Sequence, residues 1–190
     1  HSLQVVSGEI PTVLVMGPRQ REIFRRDELK LTANAFTSHC GESTSTTNLA
    51  YEWSVSTDGE EVLLNSTSKQ PTAFILPSYS LESQSVYNIS LRVQSLLSGL
   101  AATAVVDVFV DQGDLKAQIA GGLSQSISFG SSMILNASSS YDDDVSDATG
   151  SGAGLNFDWS CVLVKPIVNT SDCGVDLFTE KNYSDDVLIV

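Results

Sequence analysis

The stretch "LAYEWSVS", residues 49–56, decides the fold. Successive side chains of a strand point to opposite faces, so Leu49, Tyr51, Trp53 and Val55 share one side and Ala50, Glu52 and Ser54 the other. The stretch therefore reads as a strand with one dry and one wet face. A Trp at such a place fills the space between two sheets with a single large side chain. Its same-face neighbours are apolar too, which assigns Trp53 to a core rather than to a sugar-stacking platform.

The same alternation continues along the chain in "TVLVM", "LKLTANAF", "TAFILP", "VYNISLRVQS", "TAVVDVFV", "LKAQIA", "SISF", "MILNAS", "LNFDWSCVLV" and "DVLIV". Gly, Ser, Asn, Pro or Asp separate these runs, and helical periodicity is almost absent. The pattern predicts an all-β protein built from antiparallel β-sandwiches.

The sequence also repeats itself. Displaced by 104 residues, the segment from Val13 to Ala35 lies on the segment from Ala117 to Ser139. Val15 then meets Ile119, Gly17 meets Gly121, Ile23 meets Ile127, Leu31 meets Leu135 and Ala33 meets Ala137. With two more residues of displacement, "LAYEW" (49–53) meets "LNFDW" (155–159). A repeat of that size is one immunoglobulin-like sandwich, not a solenoid unit. The expected organisation is a first sandwich over 11–112 and a second over 113–190. Residues 1–10, with "SLQVVSG", read as the last strand of a preceding module and a linker. The second copy stops near the counterpart of "TAFILP", so its last two strands are expected beyond residue 190. With no initiator Met at His1 and an apolar "VLIV" at the end, the chain reads as a piece of a longer protein.

Charge narrows the function classes. Ten basic against 23 acidic residues give a net charge of −13, which repels nucleic acid and acidic membrane surfaces. Half of the basic residues sit together at Arg19, Arg21, Arg25, Arg26 and Lys30, which reads as a solvated strand face rather than a dock for an acidic neighbour. No run of eighteen apolar residues is present, so no transmembrane helix is expected.

Five Asn-x-Ser/Thr acceptors occur, at Asn65, Asn88, Asn136, Asn169 and Asn182. Chance supplies about one or two in such a chain, so the excess points to the secretory pathway and to N-linked glycans. Cys161 and Cys173 are close enough to bridge in an oxidising compartment, which leaves Cys40 free or paired elsewhere. Three scattered Cys and two His are too few for a zinc site.

The stretch "LNASSSYDDD" (135–144) combines a glycan acceptor, a serine run and Asp142, Asp143 and Asp144. It reads first as a strand end and a turn, in which Ser139, Ser140 and Asp142 bond nearby backbone amides. The three Asp residues are also candidate oxygen ligands for Ca²⁺, although the EF-hand spacing is absent. No nucleophile motif or second acid at a defined distance accompanies them, so no catalytic residue is assigned.

Several of these features resemble the REJ (receptor for egg jelly) region and the related PKD domains. They are "LKLTANAF", "MILNASSSYDDD", the Leu-x-Tyr/Phe-x-Trp step, "DWSC" with a second Cys after it, and "AFILPSYSLESQSVYNISLRV". Ile119–Gly122 looks like the family's Ile-x-Gly-Gly, although Asn136 and Asp143 stand where the family usually has Asp and Pro. The resemblance runs from about Pro11 onward. It implies tandem PKD/REJ/fibronectin-III-like sandwiches in a large ectodomain, often ciliary or flagellar, without catalytic activity. The expected function is a non-catalytic structural or adhesive segment of a modular surface glycoprotein, in contact with other modules of its chain and with neighbouring subunits. The alternative is a module that binds carbohydrate or protein through loops, for which Tyr79, Tyr141 and Tyr183 are the exposed aromatic candidates.

Overall fold

The computed structural model describes residues 10–38, 44–162, 173, 177 and 186–190. The chain forms two compact units, His1–Gln112 and Gly113–Val190.

In unit 1, β1 (Thr12–Val15), β3 (Leu29–Ser38), β4 (Thr44–Ser45) and β7 (Ala73–Leu76) form one sheet, with β3 paired to the other three. The second sheet has the order β2 (Gln20–Phe24), β9 (Ala101–Asp111), β8 (Ser85–Ser95), β5 (Leu49–Thr57) and β6 (Glu60–Val62). Alternation decides which faces meet. Leu29, Leu31, Ala33 and Ala35 of β3 are buried at every second position, as are Tyr87, Ile89, Leu91 and Val93 of β8. With Val55, Phe74, Leu76, Val106, Val108 and Val110 they make one continuous core between the sheets. Each fully buried aliphatic side chain of this kind contributes about 1.5–3 kcal/mol.

Trp53 closes one side of that core. Its ring lies 5.3 Å from Phe74, centroid to centroid, and its Nε1–H donates to the Pro71 carbonyl at 2.9 Å. Thus the amphipathic ring buries its apolar body while its single donor is satisfied. At the start of β8, the Tyr87 hydroxyl accepts the Glu82 amide at 3.0 Å from a 5% exposed residue. This tyrosine corner locks the chain reversal into β8, as in immunoglobulin-like sandwiches.

One pairing departs from the antiparallel expectation: β2 runs parallel to β9, Gln20 opposite Asp107 and Phe24 opposite Asp111. Sequence reasoning took the basic residues here as a solvated strand face but named no alternating run over "QREIF", because its charges hide the period. The basic residues around it brace the structure locally. Arg21 donates to the carbonyls of Met16, Pro18 and Lys30. Arg25 pairs with Glu82 at 3.3 Å, and the Arg26 guanidinium lies 4.7 Å from the centroid of the Phe24 ring.

In unit 2, β10 (Leu115–Lys116) pairs with β12 (Tyr141–Asp142), and β11 (Ile134–Asn136) with β13 (Val187–Ile189). A short 3-10 turn covers Gly150–Ala153. The repeat is present in the hydrogen bonds. Leu31 pairs with Phe74 in unit 1, and its counterpart Leu135 pairs with Leu188 in unit 2. Met16 N donates to Thr32 O at 2.8 Å, and Ala120 N to Asn136 O at 2.7 Å, again 104 residues on. Gly17 and Gly121 take φ of 90° and 91°, in the left-handed region where a Cβ is strained. Over them, Arg21 bonds the Met16 carbonyl and Gln125 bonds that of Ala120 at 2.7 Å.

Three runs expected as strands are not so in full. Only Leu115–Lys116 of "LKAQIA" pairs, and "SISF" and residues 155–162 of "LNFDWSCVLV" join no ladder. The counterparts of the last two in unit 1 are held by β9 and β8. Among the described residues of unit 2 no strand takes those places. Hence Val15 is 8% exposed while its counterpart Ile119 is 45% exposed.

Candidate functional site

The acidic run begins at the end of β12. The carboxylate of Asp142 accepts the Asp144 amide at 2.8 Å, and that of Asp144 accepts the Gly113 amide at 3.0 Å. The Asp143 amide donates to the Asp114 carbonyl at 3.1 Å. These bonds form an Asx turn that pins the first residues of unit 2. Gly113 is needed for the close approach: a Cβ there would lie 2.7 Å from Asp143 Cβ and 2.8 Å from Asp144 Oδ1. Asp114 carries the local ion pair, with Lys116 Nζ at 2.6 Å. Among the described residues no group of three or more His, Cys, Asp or Glu is disposed to hold a metal ion.

Ser140 does more than a flexible serine run promises. It is 3% exposed; its hydroxyl accepts the Gln118 amide at 3.0 Å and donates to the Gln118 carbonyl at 3.2 Å. Its own carbonyl accepts the Gly150 amide at 2.7 Å. Sequence reasoning placed Ser140 in a turn but missed its bonds to Gln118, as it missed the bond at the hydroxyl of the inward-facing Tyr87 and the close approach at Gly113.

The glycan acceptors have different settings. Asn65 is exposed between β6 and β7. Asn88 lies on the outward face of β8, the central strand of its sheet, and its Nδ2 donates to Asp107 Oδ1 at 2.8 Å. Asn136 ends β11, and its Oδ1 accepts the Ser138 amide at 2.8 Å. Asn169, Asn182 and Cys40 lie outside the described residues, as do residues 1–9 and Tyr183. Cys161 and Cys173 form a disulfide with Cα atoms 5.8 Å apart.

In unit 2, Leu155, Phe157 and Trp159 are half-buried while Asn156, Asp158 and Ser160 are exposed, so the two-residue period survives without a ladder. With Ala117, Ala137 and Tyr141 they border a hollow of about 310 Å³. Tyr79 and Tyr141 fall in different units, and each is half-buried.

No helix among the described residues is long and apolar enough to cross a membrane. Among curated proteins none matches significantly. Among solved structures, the three N-terminal domains of the bacteriophage RB49 highly immunogenic outer capsid protein (Hoc) are similar at 16% identity and a TM-score of 0.36. That match covers 67% of this chain and 38% of the Hoc chain. The REJ domain, a non-catalytic module of extracellular proteins, matches residues 34–185, across the boundary between the two units. With most of its length matched, the chain belongs to the REJ family.

Proposed function

We propose that the chain is a non-catalytic structural or adhesive segment of a larger, glycosylated extracellular protein. Its contacts are with other modules of the same polypeptide and with neighbouring subunits of a surface assembly such as a cilium or flagellum. The observation that carries this reading is the duplicated hydrogen-bond frame: Leu31–Phe74 and Leu135–Leu188 pair alike in two successive units of one REJ chain. The strongly acidic balance supports a role away from nucleic acid and anionic lipid. The Cys161–Cys173 bridge and the five sequons support an oxidising, secretory route.

Antibody labelling of intact, unpermeabilised cells of the source organism tests the reading. Surface labelling that disappears after external protease is the expected result. Labelling only after permeabilisation contradicts it.

A further inference from the structure

An apolar pair stands out on the wet face of the second sheet of unit 1. Val86 and Phe109 lie directly opposite each other on β8 and β9, and are 49% and 39% exposed. Neither strand is an edge, since β5 and β2 flank them. Their surroundings on that face are polar: Asp107 opposite Asn88, Gln20 opposite Asp107, and Glu22 opposite Phe109. Gln20, Arg21, Glu22, Val86, Asp107 and Phe109 enclose a shallow hollow of about 370 Å³. Among the described residues, neither belongs to the buried core of unit 1.

The neighbour that explains them is the sequon Asn88-Ile89-Ser90. Tyr87, Ile89 and Leu91 are buried, so Val86, Asn88 and Ser90 share the outward face. Phe109 is therefore the diagonal cross-strand neighbour of Asn88, a separation of about 7–8 Å that a ring or a sugar spans. We propose that Asn88 carries an N-linked glycan whose first N-acetylglucosamine lies across Val86 and Phe109. A pyranose presents a face of C–H groups, which matches the electron-rich face of an aromatic ring. Its hydroxyl and acetamido groups meet Gln20 and Glu22 at the rim. The sugar turns an exposed apolar patch into a covered one.

The covalent step balances in bonds and protons. In the secretory lumen an oligosaccharyl group passes from a lipid-pyrophosphate donor to the unfolded chain. The bond from sugar C1 to Asn88 Nδ2 forms, the C1–O bond to phosphate breaks, lipid pyrophosphate leaves, and one Nδ2 proton is released. The remaining Nδ2 hydrogen still serves the bond to Asp107 Oδ1 seen at 2.8 Å.

This inference rests on the secretory route proposed above, and the two fail separately. Native material with every sequon bare contradicts the route. A eukaryotic secretory host supplies the transferase regardless, so failure there contradicts only this inference. The experiment compares the 190-residue chain secreted by such a host with the same chain made without glycosylation, each with and without Phe109→Ser. Glycopeptide mass spectrometry should find Asn88 occupied, and the glycosylated protein should unfold at higher urea. Endoglycosidase trimming to the first sugar should keep that shift, and Phe109→Ser should abolish it. A bare Asn88 overturns the proposal, as does an equal shift with and without Phe109. Because Phe109 is outside the core, its replacement leaves a folded protein to measure.

Discussion

Ala33 and Ala137 donate the same hydrogen bond in the two units: Ala33 N to Thr72 O and Ala137 N to Asp186 O, both at 2.8 Å. The two alanines are 104 residues apart, the displacement at which the sequence overlies itself. Both are buried. The equivalence is one of backbone geometry, and it makes each unit a control for the other.

The Trp positions give the first comparison. Trp53→Ala removes the contact with Phe74 and the bond to Pro71, and should cost about 3–5 kcal/mol in urea unfolding of unit 1. Trp159→Ala should cost unit 2 less, since no strand pairs with its segment among the described residues.

Tyr87→Phe keeps the ring in place but deprives the Glu82 amide of its acceptor. The expected loss is about 1–2 kcal/mol, measured by the same unfolding transition, with little change in m-value.

Gly113→Ala drives a methyl group into Asp143 Cβ, 2.7 Å away, and should destabilise unit 2 by about 1–3 kcal/mol. Gly152→Ala meets nothing within 4 Å and should be neutral or slightly stabilising. Differential scanning calorimetry of the two variants checks the contrast, and equal effects would contradict the role given to Gly113.

Backbone amides of residues 155–160 should exchange with solvent faster than those of β5. β5 is fixed by β8, Trp53 opposite Leu91, whereas no described strand pairs with 155–160. Hydrogen-exchange mass spectrometry reads both segments in one sample. Equal protection would mean that residues 155–160 are paired.

The fold was legible where one face is wet and the other dry. In β3 and β8 the alternation in the sequence is the alternation in burial, and in β5 it holds from Leu49 to Trp53. β2 was legible only as a basic strand face, because Arg21 and Glu22 mask its period and its parallel partner β9 lies far along the chain. "SISF" and "LNFDWSC" carry strand periodicity, but periodicity specifies a face and cannot supply a ladder partner. At the candidate site, the turn at Asp142–Asp144 followed from residue type. The burial of Ser140 and the close approach at Gly113 depend on which segments meet, and no local pattern encodes that. Val86 and Phe109 were each visible as members of strands, but their pairing beside Asn88 required the register of β8 on β9.

The central claim, a disulfide-bonded and glycosylated extracellular segment, is tested most directly by non-reducing peptide mass spectrometry of the chain from its natural source. The account predicts glycan on at least two of the five sequons, Asn65 and Asn88 among them, and a peptide cross-linked through Cys161 and Cys173. Five unmodified Asn residues together with free thiols at both cysteines would contradict it.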